Sequence, residues 1–415
     1  MSPDIPLTAD IPVTADVVVV GIGADGWRSL SSIARSELSE ALVVYGSKRQ
    51  LALLPDDIGA TRVPWRSPMS AHLAELAASD LDAPVHVLAS GDPMFHGVGT
   101  SLVRAFGAER VRVFAHPSSA TLAAARLGWD LASTQVVSLV TSPVDALTAH
   151  LTDGAALLIL SRDATTPADV ADLLVDKGFE GSPFTVLSDL GADTERAHAG
   201  RADTWTGAPS ALNVIAVDCV GPARSRAPGL NDDDFVHRGQ ITKRPMRALT
   251  VSALRPAEGQ TLWDVGAGAG SIGIEWLRLT RSGRVVAFES DAERAADVLE
   301  NARRHGVADR LDLRGAAPAA LTGAPKPDTV FIGGGMTADV LGIAWRSLVS
   351  GGRIVANAVT LETERLVVDA ADRWGGELVR VSVERAAPLG RSTAWRPALP
   401  IVQWTAVKTE TGEPA

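Results

Sequence analysis

The residues best suited to chemistry in this chain form one stretch, Leu262-Trp263-Asp264-Val265-Gly266-Ala267-Gly268-Ala269-Gly270. An apolar strand ends in an acid and runs into three glycines at alternate positions. Glycine lets the backbone turn sharply and lets a ligand approach where a Cβ would clash. The helical pattern that follows, Ser271 to Leu279, begins with N–H groups that lack intrahelical partners. Glu289 closes the next strand 19 residues after Gly270, where a carboxylate accepts both hydroxyls of a ribose. That distance also suits NAD. The turn is G-x-G-x-G, however, and Asp264 directly precedes it. Negative charge at the strand end, without an extra turn for a pyrophosphate, favours a cationic sulfonium amino acid over a dinucleotide.

A second glycine turn, Gly21-Ile22-Gly23-Ala24-Asp25-Gly26, satisfies G-x-G-x-x-G literally. The strand after it ends in Tyr45-Gly46-Ser47-Lys48, with no carboxylate to receive a ribose. The turn is therefore read as a structural bend or the wall of a site, with Gly23 a candidate on the substrate side. A further strand, Val85 to Ala89, runs into Ser90-Gly91-Asp92-Pro93-Met94-Phe95-His96-Gly97. Proline fixes φ there and the flanking glycines free the backbone, so the loop is rigid and offers little side chain to obstruct a ligand. His96 is a candidate proton shuttle, although a histidine satisfied by its own loop is the simpler reading.

The elements that must position these residues follow an α/β pattern. In the first half, strands are expected at Ala15–Ile22, Ala41–Tyr45, Val85–Ala89 and Val111–Phe114, with helices at Arg28–Ser36, Pro68–Ser79 and Ser101–Phe106. A second lobe follows His116-Pro117-Ser118-Ser119: a helix at Ala120–Leu127, then strands at Gln135–Val140, Ala155–Leu160, Phe184–Leu187 and Leu212–Cys219. The Gly/Pro-punctuated segment after Val220 reads as a linker. Strand and helix then alternate from the helix at Arg244–Leu254 through strands at Leu262–Val265, Arg284–Phe288, Arg310–Leu313, Thr329–Ile332 and Arg353–Ala356. Helices are expected at Ala292–His305, Ala338–Leu348 and Glu362–Arg373. Leu378–Glu384 and Ile401–Val407, with no helix between them, read as a terminal β-hairpin. The domains expected are 15–222, with lobes of about 15–116 and 117–222, a linker at 223–229, and 230–410, after a loose leader at 1–14.

Composition narrows the function. Of 415 residues, 39 are basic and 49 acidic, a net charge of −10 without a basic tail, which gives no support to nucleic-acid binding. The single cysteine, Cys219, lies in an apolar run and reads as a core residue. No Cys/His cluster has zinc spacing, so no metal is expected. No stretch approaches the ~20 apolar residues of a membrane helix, and no basic segment leads into a long apolar run, so no membrane role and a cytoplasmic location are expected.

Taken as an ordered set, Gly21/Gly23/Gly26, Gly91-Asp92-Pro93, Pro117-Ser118-Ser119 and Leu212-Asn213-Val214-Ile215 resemble the tetrapyrrole methylase family over about residues 15 to 222. The resemblance implies a two-lobed fold with S-adenosyl-L-methionine between the lobes. The cofactor would lie against Gly91, Asp92, Pro93, Met94, Gly97, Ser118, Ser119, Leu212 and Asn213. His116 is a bulkier lead-in to Pro117 than is common in the family. The later turn and hairpin resemble the class I, Rossmann-like methyltransferases. With Gln240-Ile241-Thr242-Lys243, Arg314-Gly315-Ala316-Ala317-Pro318 and Asp328-Thr329-Val330-Phe331-Ile332-Gly333-Gly334-Gly335, they are similar to the methyltransferases that act on C-15 of precorrins.

That second resemblance implies a further S-adenosyl-L-methionine at Thr242, Asp264, Gly266, Ala267, Gly268, Ala269, Gly270, Glu289, Gly315, Ala316, Ala317 and Gly333. Ala316 stands where the family turn usually carries Asp, which removes a polar contact toward the adenine. The fusion of the two domains implies methylation of precorrin-6B at C-5 and C-15, with loss of carbon dioxide from the ring C acetate, giving precorrin-8X. It also implies a homo-oligomer. Lys243, Arg244, Arg247, Arg391 and Arg396 are candidates for the substrate's carboxylates. No side chain stands out as a catalytic acid or base. An NAD(P)-dependent oxidoreductase and a non-catalytic cofactor-binding protein are the competing readings.

Overall fold

The computed structural model describes residues 15–409. The expected leader, and residue 410 at the end of the second expected domain, lie outside them. The described residues divide into two compact units, one of residues 15–144 and 150–223, the other of residues 145–149 and 224–409.

The first unit holds two five-stranded sheets. Strands β1 (Val17–Ile22), β2 (Val43–Gly46), β3 (Thr61–Pro64), β4 (Val85–Ser90) and β5 (Val111–Phe114) form a sheet in the order 3-2-4-1-5. Its pairings are all parallel. The interior strand β1 is buried at every position, as expected of a strand covered on both faces. Strands β6 (Gln135–Ser138), β7 (Ala156–Leu160), β8 (Pro183–Ser188), β9 (Arg196–Arg201) and β10 (Asn213–Asp218) form a mixed sheet in the order 6-7-10-8-9. Only the β6–β7 pair is parallel in that sheet. The helix Thr166–Asp176 and the exposed edge strand β9 escape the sequence reading. Neither residue run has the apolar density of the strands around it. Cys219 is 1% exposed, and burial pushes its thiol up to about 12.

The second unit is a seven-stranded sheet with helices on its faces. Strands β11 (Thr261–Val265), β12 (Arg284–Phe288), β13 (Leu311–Arg314), β14 (Thr329–Ile332) and β15 (Arg353–Ala358) run parallel. Strand β16 (Glu377–Val381) and the last strand (Ile401–Val407) complete the order 13-12-11-14-15-last-16, both of those pairings antiparallel. This is the Rossmann-like α/β unit with the terminal hairpin expected from the sequence. One expected strand is corrected: Leu378–Glu384 breaks after Val381. Glu384 starts a separate strand, β17 (Glu384–Leu389), which pairs with β18 (Ser392–Pro397) in a two-stranded ribbon between the arms of the hairpin. The last strand, Ile401–Val407, is β19.

The tryptophans Trp263, Trp345 and Trp404 are core residues, at most 8% exposed. Trp404 on β19 lies 5.9 Å from Trp374 and 6.2 Å from Trp345, and its indole N–H donates to Gly375 O at 2.9 Å. This cluster fastens the hairpin to the helix Leu361–Trp374. Trp404→Ala removes a large buried ring and should destabilise the second unit by ~3–5 kcal/mol, measurable as an earlier transition in denaturant unfolding.

Candidate active sites

Each unit contains a cavity where its parallel strands end. In the second unit the cavity has a volume of about 570 Å³. Its wall is built first by the β11 turn. Gly266, Gly268 and Gly270 all have positive φ, at 71°, 59° and 74°, a region that L side chains rarely adopt. A Cβ on Gly266 would meet Gly334 O at 2.5 Å, so two loops cross at backbone distance there. Gly270 initiates the helix Ser271–Arg278 from a left-handed conformation.

Glu289, 6% exposed, accepts from Gly268 N at 2.8 Å, Asp291 N at 3.0 Å and Arg294 Nη2 at 2.8 Å. Burial raises its pKa, but the bonds from Arg294 and the two amides outweigh it, and the carboxyl is held below its ordinary value. Arg294 also donates to Gln240 Oε1 at 3.0 Å. The segment Gln240–Lys243 is thereby drawn to the cavity rim.

The sequence candidates divide clearly. Thr242, Lys243, Gly266, Ala267, Gly268, Ala269, Glu289, Ala317 and Gly333 line the cavity. Gly270, Gly315 and Ala316 do not. Arg391 sits at the tip of the β17–β18 ribbon, also outside the wall. Asp264 is the first correction. Strand alternation turns it away from the face of Trp263 and Val265, and it is 1% exposed behind the wall. It accepts from Gly273 N at 3.0 Å, while Oδ1 is buried without a partner. Burial pushes its carboxyl up to about 7.

Arg247 is the second correction. Expected to meet substrate carboxylates, it is 0% exposed. Its Nε donates to Glu275 at 2.6 Å, and Nη1 donates to Asp232 at 3.1 Å and to Thr242 O at 2.6 Å. Glu275 also accepts from Gly229 N at 2.6 Å and Leu230 N at 3.0 Å. Arg247 is therefore a brace for the 229–243 segment. The wall residues Arg294, Gln240, Asn357 and Arg385 were not among the candidates. The position of Arg294 in the first turn of the helix after Glu289 was the one available signal. Asn357 belongs to a buried network, donating to Thr250 Oγ1 at 2.9 Å and accepting from Gln403 at 2.9 Å.

The first unit's cavity, about 540 Å³, lies between its two sheets. Gly23, Gly91, His96, Gly97, Ser118, Ser119, Leu212 and Asn213 line it. Asp92, Pro93 and Met94 belong to the same loop but not to the wall. The Asp92 carboxylate turns back to accept from Met94 N at 2.9 Å, and Pro93 O accepts from Gly99 N at 2.9 Å, which braces the loop from behind. Ser118 caps the helix Ser119–Leu127 by accepting from Thr121 N at 3.0 Å. Asn213, 6% exposed, donates to Asp163 O and Ser210 O, at 3.2 and 2.9 Å. Its Oδ1 and the Oγ of Ser161, another wall residue, are buried without hydrogen-bond partners.

His96 makes an edge contact with Phe95 at 4.8 Å, and burial lowers its pKa, so the imidazole is neutral at pH 7. The Gly21 turn is filled, not open: a Cβ on Gly21 would meet Gly91 O at 2.2 Å, and one on Gly23 would meet the His116 ring at 2.8 Å. His116, the bulky lead-in to Pro117, is thus accommodated by these glycines.

The comparisons match both halves. Residues 16–205 match the Tetrapyrrole (Corrin/Porphyrin) Methylases and residues 233–408 match the Precorrin methyltransferase domain. The precorrin-6Y C(5,15)-methyltransferase [decarboxylating] of Mycobacterium tuberculosis (strain CDC 1551 / Oshkosh) is 45% identical over 397 residues, covering 94% of this chain and 99% of the relative. The chain belongs to the precorrin-6Y C(5,15)-methyltransferase (decarboxylating) family. The Sinorhizobium sp protein of that name is 44% identical over 396 residues, covering 94% of this chain and 96% of the relative. Among solved structures, the C-terminal domain of precorrin-6Y C5,15-methyltransferase from Rhodobacter capsulatus is 43% identical, covering 45% of this chain and 100% of that one, at a TM-score of 0.43. Family membership makes this an S-adenosylmethionine-dependent methyltransferase of cobalamin biosynthesis.

Asp264 carries a pH prediction. A carboxyl whose pKa is raised on folding, here from 3.8 to about 7, contributes stability that is present below the unfolded value and lost as pH rises through the folded one. Asp264→Asn keeps an acceptor for Gly273 N and removes the charge. The melting temperature of the wild type should fall relative to the variant between about pH 4 and pH 7, read by calorimetry without cofactor.

Proposed function

We propose that the chain methylates precorrin-6B at C-5 and C-15 and removes carbon dioxide from the ring C acetate, giving precorrin-8X. In this reading residues 15–222 carry the C-5 transfer and residues 230–410 the C-15 transfer and decarboxylation. Each domain holds one S-adenosyl-L-methionine. The observation that carries the division is that each unit has its own cavity with a polar feature suited to that cofactor: Glu289 under Arg294 in one, the unpartnered Asn213 Oδ1 in the other.

The residues present fit the cofactor. Glu289, held ionised, is an acceptor for ribose hydroxyls, and the crossing of Gly266 with Gly334 leaves backbone rather than side chain at the wall. In the first cavity, the wall residues Asn213 and Ser161 each carry a side-chain oxygen with no partner in the protein. When bound, S-adenosyl-L-methionine supplies an electrophilic methyl group on a sulfonium. The chain's contribution is alignment for an in-line displacement, which is worth up to ~7–11 kcal/mol in favourable cases. No general base is assigned, because the macrocycle carbon is itself electron-rich.

In the decarboxylation, the bond between the acetate methylene and its carboxyl carbon breaks. The electron pair passes into the conjugated ring, and a solvent proton completes the methyl group. Valines 359, 381 and 383 in the second cavity wall withhold hydrogen bonds from that carboxylate, which favours its loss. A cytoplasmic location and a homo-oligomeric state complete the proposal. No helix among the described residues is long and apolar enough to cross a membrane.

The test uses full-length protein, precorrin-6B and labelled S-adenosyl-L-methionine, with product mass as the readout. Wild type should add two methyl groups and lose one carbon dioxide. Glu289→Gln, which weakens the ribose acceptor, should cut carbon dioxide release by at least about tenfold while one methyl is still added. Asn213→Leu should suppress the other methylation. Retention of carbon dioxide release in Glu289→Gln together with its loss in Asn213→Leu would reverse the division of labour.

A further inference from the structure

Three cations line the second unit's cavity: Lys243, Arg294 and Arg385. Two are engaged. Lys243 Nζ lies 3.6 Å from Asp232, and Arg294 is held on Glu289 at 2.8 Å. The Arg385 guanidinium has no ion pair or hydrogen bond among the described residues. It lies on β17 directly opposite Arg396 of β18. Like charges directly opposite one another in an antiparallel pair are destabilising. Arg396 donates along the ribbon to Pro388 O at 3.2 Å. Glu384, the adjacent acid, alternates onto the other face of the strand. The ribbon therefore carries a like-charge pair with no acid between its members, and one member borders the cavity.

The wall around Arg385 is apolar: Val359, Val381, Val383, Leu399 and Ile401. Val359 is 49% exposed and Leu399 74%. Apolar side chains open to solvent beside one uncommitted guanidinium suit a flat, largely apolar ring edged with carboxylates.

We propose that Arg385 docks a peripheral carboxylate of the macrocycle and so fixes the ring over this apolar wall. The proposal rests on the functional reading above and adds to it the residue that positions the substrate. A guanidinium fork stabilises the ionised carboxylate through paired hydrogen bonds. The carboxylate it holds is therefore one that the product keeps, while the acetate that is lost lies against the valines. Arg385 takes the role expected of Arg247, which is committed to Glu275.

The experiment follows carbon dioxide release by the full-length protein at saturating S-adenosyl-L-methionine, with precorrin-6B varied. Arg385→Gln should raise KM about tenfold with kcat within about twofold, the pattern of lost ground-state binding. Arg385→Lys should recover part of that loss, because it keeps the charge but not the fork, and a folding defect would not be recovered. An active wild type with an unchanged KM in Arg385→Gln overturns the docking role alone. A wild type that neither methylates nor decarboxylates overturns both this role and the functional reading.

Discussion

The second unit's cavity depends on a buried ion pair. Arg247 and Glu275 are each fully enclosed, 2.6 Å apart. Two charges out of water are tolerated only when their remaining hydrogen-bonding capacity is also met. Here it is met by backbone: Glu275 takes the amides of Gly229 and Leu230, and Arg247 gives to the carbonyls of Leu230 and Thr242. The pair thus converts an irregular segment with little apolar content into a fixed wall. Thr242 and Lys243 reach the cavity because the chain on either side of them is tied to the helix Ser271–Arg278. The charge that looked available for substrate is consumed in building the place where substrate binds.

The first unit solves the same problem without buried ions. Its cavity wall is made of loops that touch backbone to backbone: Gly21 against the Gly91 carbonyl, and Gly91 with its would-be Cβ at 3.1 Å from Ser118 Cα. Such contacts exclude side chains at those positions. The glycine pattern at residues 21–26 is therefore a packing requirement, although it matches the spacing of a dinucleotide turn. One motif supports two different physical explanations, and the neighbouring chain decides between them.

Much of this was legible in the residues. Most parallel strands of both units carry dense β-branched runs, and their bounds were close to those observed; the short edge strand β3 (Thr61–Pro64), without such a run, was missed. Glu289 was found from its distance to the glycine turn. The edge strand β9 was not legible because it is exposed along its whole length and has no apolar alternation, and the helix Thr166–Asp176 because acids interrupt its short apolar stripe of Val170, Ala171 and Leu174. The β17–β18 ribbon was missed apart from Glu384, which was placed at the end of the strand before it.

The sequence by itself determined what kinds of turn, strand end and charge the chain possesses, because glycine freedom, alternation and carboxylate spacing are local properties. Only the tertiary structure decided which of those groups face a cavity. Asp264 and Val265 are adjacent, yet one is buried behind the wall and the other lines it. Arg247 and Arg385 have the same side chain, yet one is enclosed by Glu275 and the other is left uncommitted. Availability for chemistry depends on what else has already claimed a group's hydrogen bonds, and those partners come from distant parts of the chain.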